Sequence, residues 1–163
     1  MSKKGQAAME FLMTYGWAIL AAIIAIGVLA YFGVFNPSRL AGSTAIINTP
    51  LNIPAGGFNI INDDASCAGN DCFNIEMTQS LGQSITVSSA IITLTSGGTG
   101  SCTDATPPSS WTSGSSQTLN FNCGATTAFG SGDSIAGNIE IKYTAGSSSL
   151  VQSSTGNIRG VAQ

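Results

Sequence analysis

Two hydrophobic patterns divide the chain. From Phe11 to Phe35 runs "FLMTYGWAILAAIIAIGVLAYFGVF", without one charged residue, and beyond it short apolar runs alternate with clusters of Gly, Ser, Thr, Asn and Asp. The first pattern predicts a helix that is apolar on every side. At about 1.5 Å per residue it extends roughly 37 Å, more than the roughly 30 Å hydrocarbon core of a bilayer. The apolar core of a secretory signal peptide is only about 7 to 15 residues long, so this run is too long for one. Lys3 and Lys4 precede the run and Arg39 follows it. The excess of positive charge before the span places the N-terminus in the cytoplasm and everything after Asn36 outside.

The second pattern holds no helical period. It predicts strands at Thr44–Asn48, Phe58–Ile61, Phe73–Met77, Ser84–Val87, Ala90–Thr95, Thr118–Asn122, Asn138–Thr144 and Ser149–Ser153, the last extending toward Val161. Alternation is clearest where Ile139, Ile141 and Tyr143 share one face and Glu140 and Lys142 the other, the mark of a half-buried strand. "TAGSS" at 144–148 turns that strand back on itself. "SGGTGS" and "PPSSWTSGSS" read as exposed loops. The fold class is therefore α+β: a long N-terminal helix for a membrane or a filament core, followed by an all-β, Ig-like sandwich ectodomain.

Composition narrows the function. Only 8% of residues are charged, with 5 Lys+Arg against 8 Asp+Glu for a net charge of −3 and no histidine. Without histidine there is no Ser-His or Cys-His pair, and the glycine-rich stretches lack a phosphate-binding lysine, so the chain does not read as an enzyme and no catalytic residue or cofactor is expected. Scattered cations give no nucleic-acid footprint. Cys67, Cys72, Cys102 and Cys123 all lie in the outer part and read as two disulfides. Proximity favours Cys67–Cys72 with Cys102–Cys123 among three pairings, and those closures would contribute roughly 2 and 3 kcal/mol. The spacing matches no zinc site and no metal is expected. Asp63, Asp64 and Asp71 in "NDDASCAGND" have the chemistry of calcium ligands, and equally that of a solvated turn. No N-x-S/T sequon is present with x other than Pro; the Ser/Thr-rich loops remain acceptors for O-linked sugars.

Two residues do not suit a plain anchor. Glu10 stands at the mouth of the apolar run, where a carboxylate is costly and persists when it finds a partner. Cleavage after Gly5 would supply one, because Gln6 would then carry an α-ammonium of pKa about 7.7 to 8.0. Glu10, four residues on, could serve the first turn of its own helix or the amine of a neighbouring chain. A glycine before the cut lets the backbone lie close against a protease.

Lys3-Lys4-Gly5 followed by Gln6, with Glu10 fifth from the cut and an unbroken apolar helix behind it, resembles the class III signal peptide of archaeal type IV pilins, whose pattern is Q-x-S-x-E-x-x-x-L. Ala8 and Thr14 stand where that pattern has Ser and Leu. The resemblance implies a leader at 1–5 removed by a membrane-embedded aspartic prepilin peptidase, a helix at 6–36, a linker at 37–43 and the ectodomain at 44–163. It implies polymerisation through the N-terminal helices, with a pilus assembly ATPase and a membrane platform protein as partners. The chain would wait in the cytoplasmic membrane and end in an extracellular surface filament, with adhesion as its use. Small residues would let helices approach closely: Ala18 with Ala22, Ala21 with Ala25, and Gly16 and Gly27. Tyr15 and Trp17 near one end and Tyr31 near the other suit an aromatic belt or stacking in a filament core. The alternative is a membrane-anchored, non-polymerising cell-surface binding protein.

Overall fold

The structure, a computed structural model, describes residues 3–32, 42–125 and 129–163. The chain divides into two compact units, Met1–Leu40 and Ala41–Gln163. The first contains helix α1, Lys3–Tyr31. Its 29 residues include the expected cut between Gly5 and Gln6 without a break, and the run from Met13 to Tyr31 has a mean hydropathy of 2.1 and no buried residue. The expected end of the helix at 36 and the linker at 37–41 lie outside the described residues.

The second unit is one antiparallel sheet of nine strands: β1 Thr44–Ile47, β2 Leu51–Asn52, β3 Phe58–Asp64, β4 Asn70–Gln79, β5 Ile85–Ser96, β6 Ser101–Asp104, β7 Ser116–Asn122, β8 Ser134–Ala145 and β9 Gln152–Val161. Neighbours follow the order β1-β9-β8-β5-β6-β7-β4, and the far edge of β4 carries β3 along Asn70–Ile75 and β2 along Thr78–Gln79. The sheet then meets itself. Gln163, just past β9, donates its N–H to the Ile60 carbonyl at 2.9 Å and accepts from the Asn62 N–H at 3.3 Å. The expected α+β organisation holds, but the β unit is barrel-like rather than a sandwich of two separate sheets. The reason is that β6 bonds to both β5 and β7, so the two halves form one continuous ladder.

Alternation fills the interior. Ile135, Ile139, Ile141 and Tyr143 of β8 point inward, while Asn138 and Lys142 face solvent, as the period of two requires. Phe73, Ile75 and Met77 of β4 and Leu119 and Phe121 of β7 meet them in a single core. The exposed Lys142–Glu140 ion pair, 3.6 Å apart and about half accessible on each side, is worth at most about 1 kcal/mol.

Two strand expectations and one loop expectation need correction. Ser84–Val87 and Ala90–Thr95 are halves of β5, joined across a bulge between Val87 and Ser89. One extra residue there shifts the phase, so Ile85 and Val87 before it and Ala90, Ile92 and Leu94 after it all face the core. The strand expected from Ser149 begins at Gln152, leaving Ser149–Val151 exposed. Finally, "PPSSWTSGSS" is the expected, largely exposed loop except at Trp111. Trp111 is fully buried, exchanges backbone hydrogen bonds with Ile85 at 2.8 and 2.9 Å, and donates its indole N–H to the Ser115 carbonyl at 2.8 Å. Strands β2 and β6 had no apolar run to announce them.

Both proximity disulfides form. Cys67–Cys72 ties the turn after β3 to the start of β4, and Cys102–Cys123 joins β6 to the residue just past β7 where the two strands lie side by side.

Strand β1 reaches the sheet through a glycine. A Cβ at Gly156 would collide with the Ile46 carbonyl and lie 2.7 Å from Ile47 Cα. Gly156→Ala should therefore lower unfolding stability by about 1–3 kcal/mol. Gly42→Ala, where an added methyl meets nothing within 4 Å, should leave it nearly unchanged, with denaturant titration as the measurement.

Candidate functional site: the exposed helix

Helix α1 follows from its composition. Leu, Ala and Met are strong helix formers, no proline interrupts Lys3–Tyr31, and the Thr14 hydroxyl returns to the Glu10 carbonyl at 2.8 Å rather than competing for a turn. Within its own unit no other described element covers it. Met13 is 82% exposed, Trp17 72% and Tyr31 87%. Phe11 stacks on Tyr15 with ring centroids 4.8 Å apart, and Tyr31 meets Phe32 edge-on at 5.7 Å, so both ends of the apolar stretch carry aromatic pairs.

The small residues fall on two opposite sides. At about 100° of turn per residue, Ala18, Ala21, Ala22 and Ala25 share one stripe roughly 100° wide, and Gly16 and Gly27 lie across the helix from it. An added Cβ at either glycine would meet nothing within 4 Å. Both sides are thus flat and open, the surface on which helices approach closely. Lys3, Lys4, Gly5 and Gln6 occupy the first turns of the same helix. Glu10 is exposed one turn further on, and no ion pair engages it among the described side chains.

The acidic turn serves the fold. Asp64 accepts the Ser66 N–H at 2.8 Å, capping the short 3-10 turn Ala65–Cys67, and takes the Asn74 amide at 2.6 Å on its other oxygen. Asp71 is buried and accepts the Phe129 N–H at 2.6 Å and the Asn62 amide at 3.0 Å. Asp63 sits in the left-handed region at φ 53° and offers its N–H to Asp71. Backbone and amide donors therefore use Asp64 and Asp71, and among the described residues no group of three or more His, Cys, Asp or Glu is placed to hold a metal ion.

The chain thus combines a helix apolar and long enough to cross a membrane with a disulfide-tied, barrel-like β unit. Comparison with protein-family models, curated proteins and solved structures gave no match.

The Ser66 N–H, followed by the Asn74 amide, holds the Asp64 carboxyl below its ordinary value of 3.8. A lowered folded pKa contributes stability above the unfolded value and loses it as pH falls through the folded one. Asp64→Asn should therefore lower the melting temperature at pH 7. That gap should narrow toward about pH 2 as the wild-type carboxyl protonates.

Proposed function

We propose that this chain is the structural subunit of an archaeal type IV pilus-like surface filament, and that α1 forms the filament core after cleavage between Gly5 and Gln6. The observation that carries the reading is one helix bearing Gly5-Gln6 and Glu10 whose apolar surface nothing else described in its unit covers. Before assembly the bilayer solvates that surface, and afterwards neighbouring copies bury it. The opposed alanine and glycine sides allow a helix to pack against more than one neighbour. Glu10, which no ion pair engages among the described side chains, is available to the new α-ammonium of Gln6 on an adjacent copy, a contact that fixes the axial register of one helix against the next.

The β unit would then face outward. Its two disulfides suit an oxidising exterior, and its sparse charge and abundant Ser and Thr suit an exposed surface used in adhesion. A membrane-anchored binding protein that never polymerises shares the helix but has no use for the Gly5-Gln6 junction or for Glu10.

Replacing Gly5 by Phe should block removal of the leader, so that only full-length chain accumulates in membranes; a trimmed product from this variant would contradict the account. Glu10→Ala should still be cut but yield few filaments by electron microscopy. Filaments at the parental level would remove the role given to Glu10.

A further inference from the structure

The outer face of the sheet carries a groove of about 590 Å3 that crosses β5, β8, β9 and β1. Strand register shows how it is built. Thr93 pairs with Asn138, Asn138 with Asn157 and Asn157 with Ile46, so one row of four side chains runs straight across the strands on the solvent side. In the neighbouring row Glu140 pairs with Thr155, and the Thr155 carbonyl takes the Asn48 N–H at 2.9 Å. Rows on one face lie about 7 Å apart and strands about 4.8 Å apart, which makes a grid of polar groups roughly 14 Å across.

The chemistry of this grid narrows what it can hold. Several other amides of the unit are held by the fold: Asn62 and Asn74 bond to Asp71 and Asp64, and Asn70 and Asn122 to the Cys67 carbonyl. Thr93, Asn138 and Asn157 make no side-chain hydrogen bond among the described residues. An amide offers two donors and an acceptor, and a hydroxyl both donates and accepts. Among the described residues Glu140 is the one carboxylate in the wall, and Lys142 balances it at 3.6 Å on the same strand. Arg159 stands in the next row, opposite Ala136, and does not line the groove. A phosphate therefore finds no cation in this wall, a metal ion finds a single carboxylate, and a wholly apolar ligand would cover amides without satisfying them. Ile46, 68% exposed, adds one apolar contact at the β1 end.

We propose that this groove binds an uncharged saccharide chain, a ligand whose hydroxyls both donate and accept and whose C–H faces are apolar. Thr93, Asn138 and Asn157 exchange hydrogen bonds with successive hydroxyls, Glu140 accepts from others, and Ile46 packs against a C–H face. A row that spans four strands suits a chain better than a single sugar ring. The wall stands on β8 and its long ladders with β5 and β9, so its groups are positioned before the ligand arrives and little ordering opposes binding. The inference goes beyond the filament reading and does not depend on it, because the groove lies wholly within the β unit and serves a filament subunit or a single anchored chain alike.

The test places the full chain in bilayer nanodiscs, free of sugar-based detergent, on an immobilised panel of neutral and acidic oligosaccharides. Neutral chains should be bound, and Asn138→Ala combined with Asn157→Ala should weaken that binding about tenfold or more. Both side chains are exposed, so the melting temperature of this variant should stay parental, which separates lost binding from a lost fold. Asn120→Ala, on β7 and outside the groove, should bind as the parent does. Binding to no neutral chain, or binding that the double variant leaves intact, would overturn the proposal. Selective binding of acidic chains would overturn the uncharged class, and free monosaccharides that compete as well as longer chains would overturn the extended ligand. None of these results bears on trimming or assembly of α1, so this inference and the filament reading fail separately.

Discussion

The uncovered apolar surface of α1 is the constraint on which the rest depends. A dozen or more large hydrophobic side chains between Met9 and Phe32 are exposed. Burying each is worth about 1.5–3 kcal/mol, so leaving them in water costs on the order of 20–40 kcal/mol, above the roughly 5–15 kcal/mol that stabilises a typical folded domain. No local contact offsets that. Such a surface suits a bilayer, and in the proposed filament other copies of the helix would bury it without a change in its own fold. In that proposal Glu10 would be the polar group whose partner arrives when helices come together.

The β unit solves a different problem, that of supporting a compact module with few charges. Ladder closure does much of the work: β6 bridges β5 and β7, and Gln163 ties the end of β9 to β3. Polar side chains that could have built a binding centre are used as internal struts instead. Asp71 accepts the Phe129 N–H and the Asn62 amide, and Asp64 holds a turn next to the Cys67–Cys72 bridge. Such bonds satisfy buried groups that would otherwise cost more than a hydrogen bond returns.

What the sequence made legible was local. The helix was visible because its composition is uniform over more than twenty residues, and β8 because Ile139, Glu140, Ile141 and Lys142 alternate cleanly. The disulfides followed from proximity. What long-range pairing decides was not legible: a barrel-like closure made by Gln163, a tryptophan drawn from a Ser- and Pro-rich stretch into the core, and a bulge that makes one strand of two apolar runs. The candidate site divides in the same way. Gly5, Gln6 and Glu10 stand out as a motif, whereas the role of Asp71 exists only because Asn62 and Phe129 come to lie beside it.

The central claim is that this helix is trimmed and then buried by its own kind. Surface appendages sheared from cells making the protein, digested and mapped by mass spectrometry, test it directly. The account predicts chains in the filament fraction that begin at Gln6. Chains that begin at Met1 and stay in the membrane fraction would contradict it.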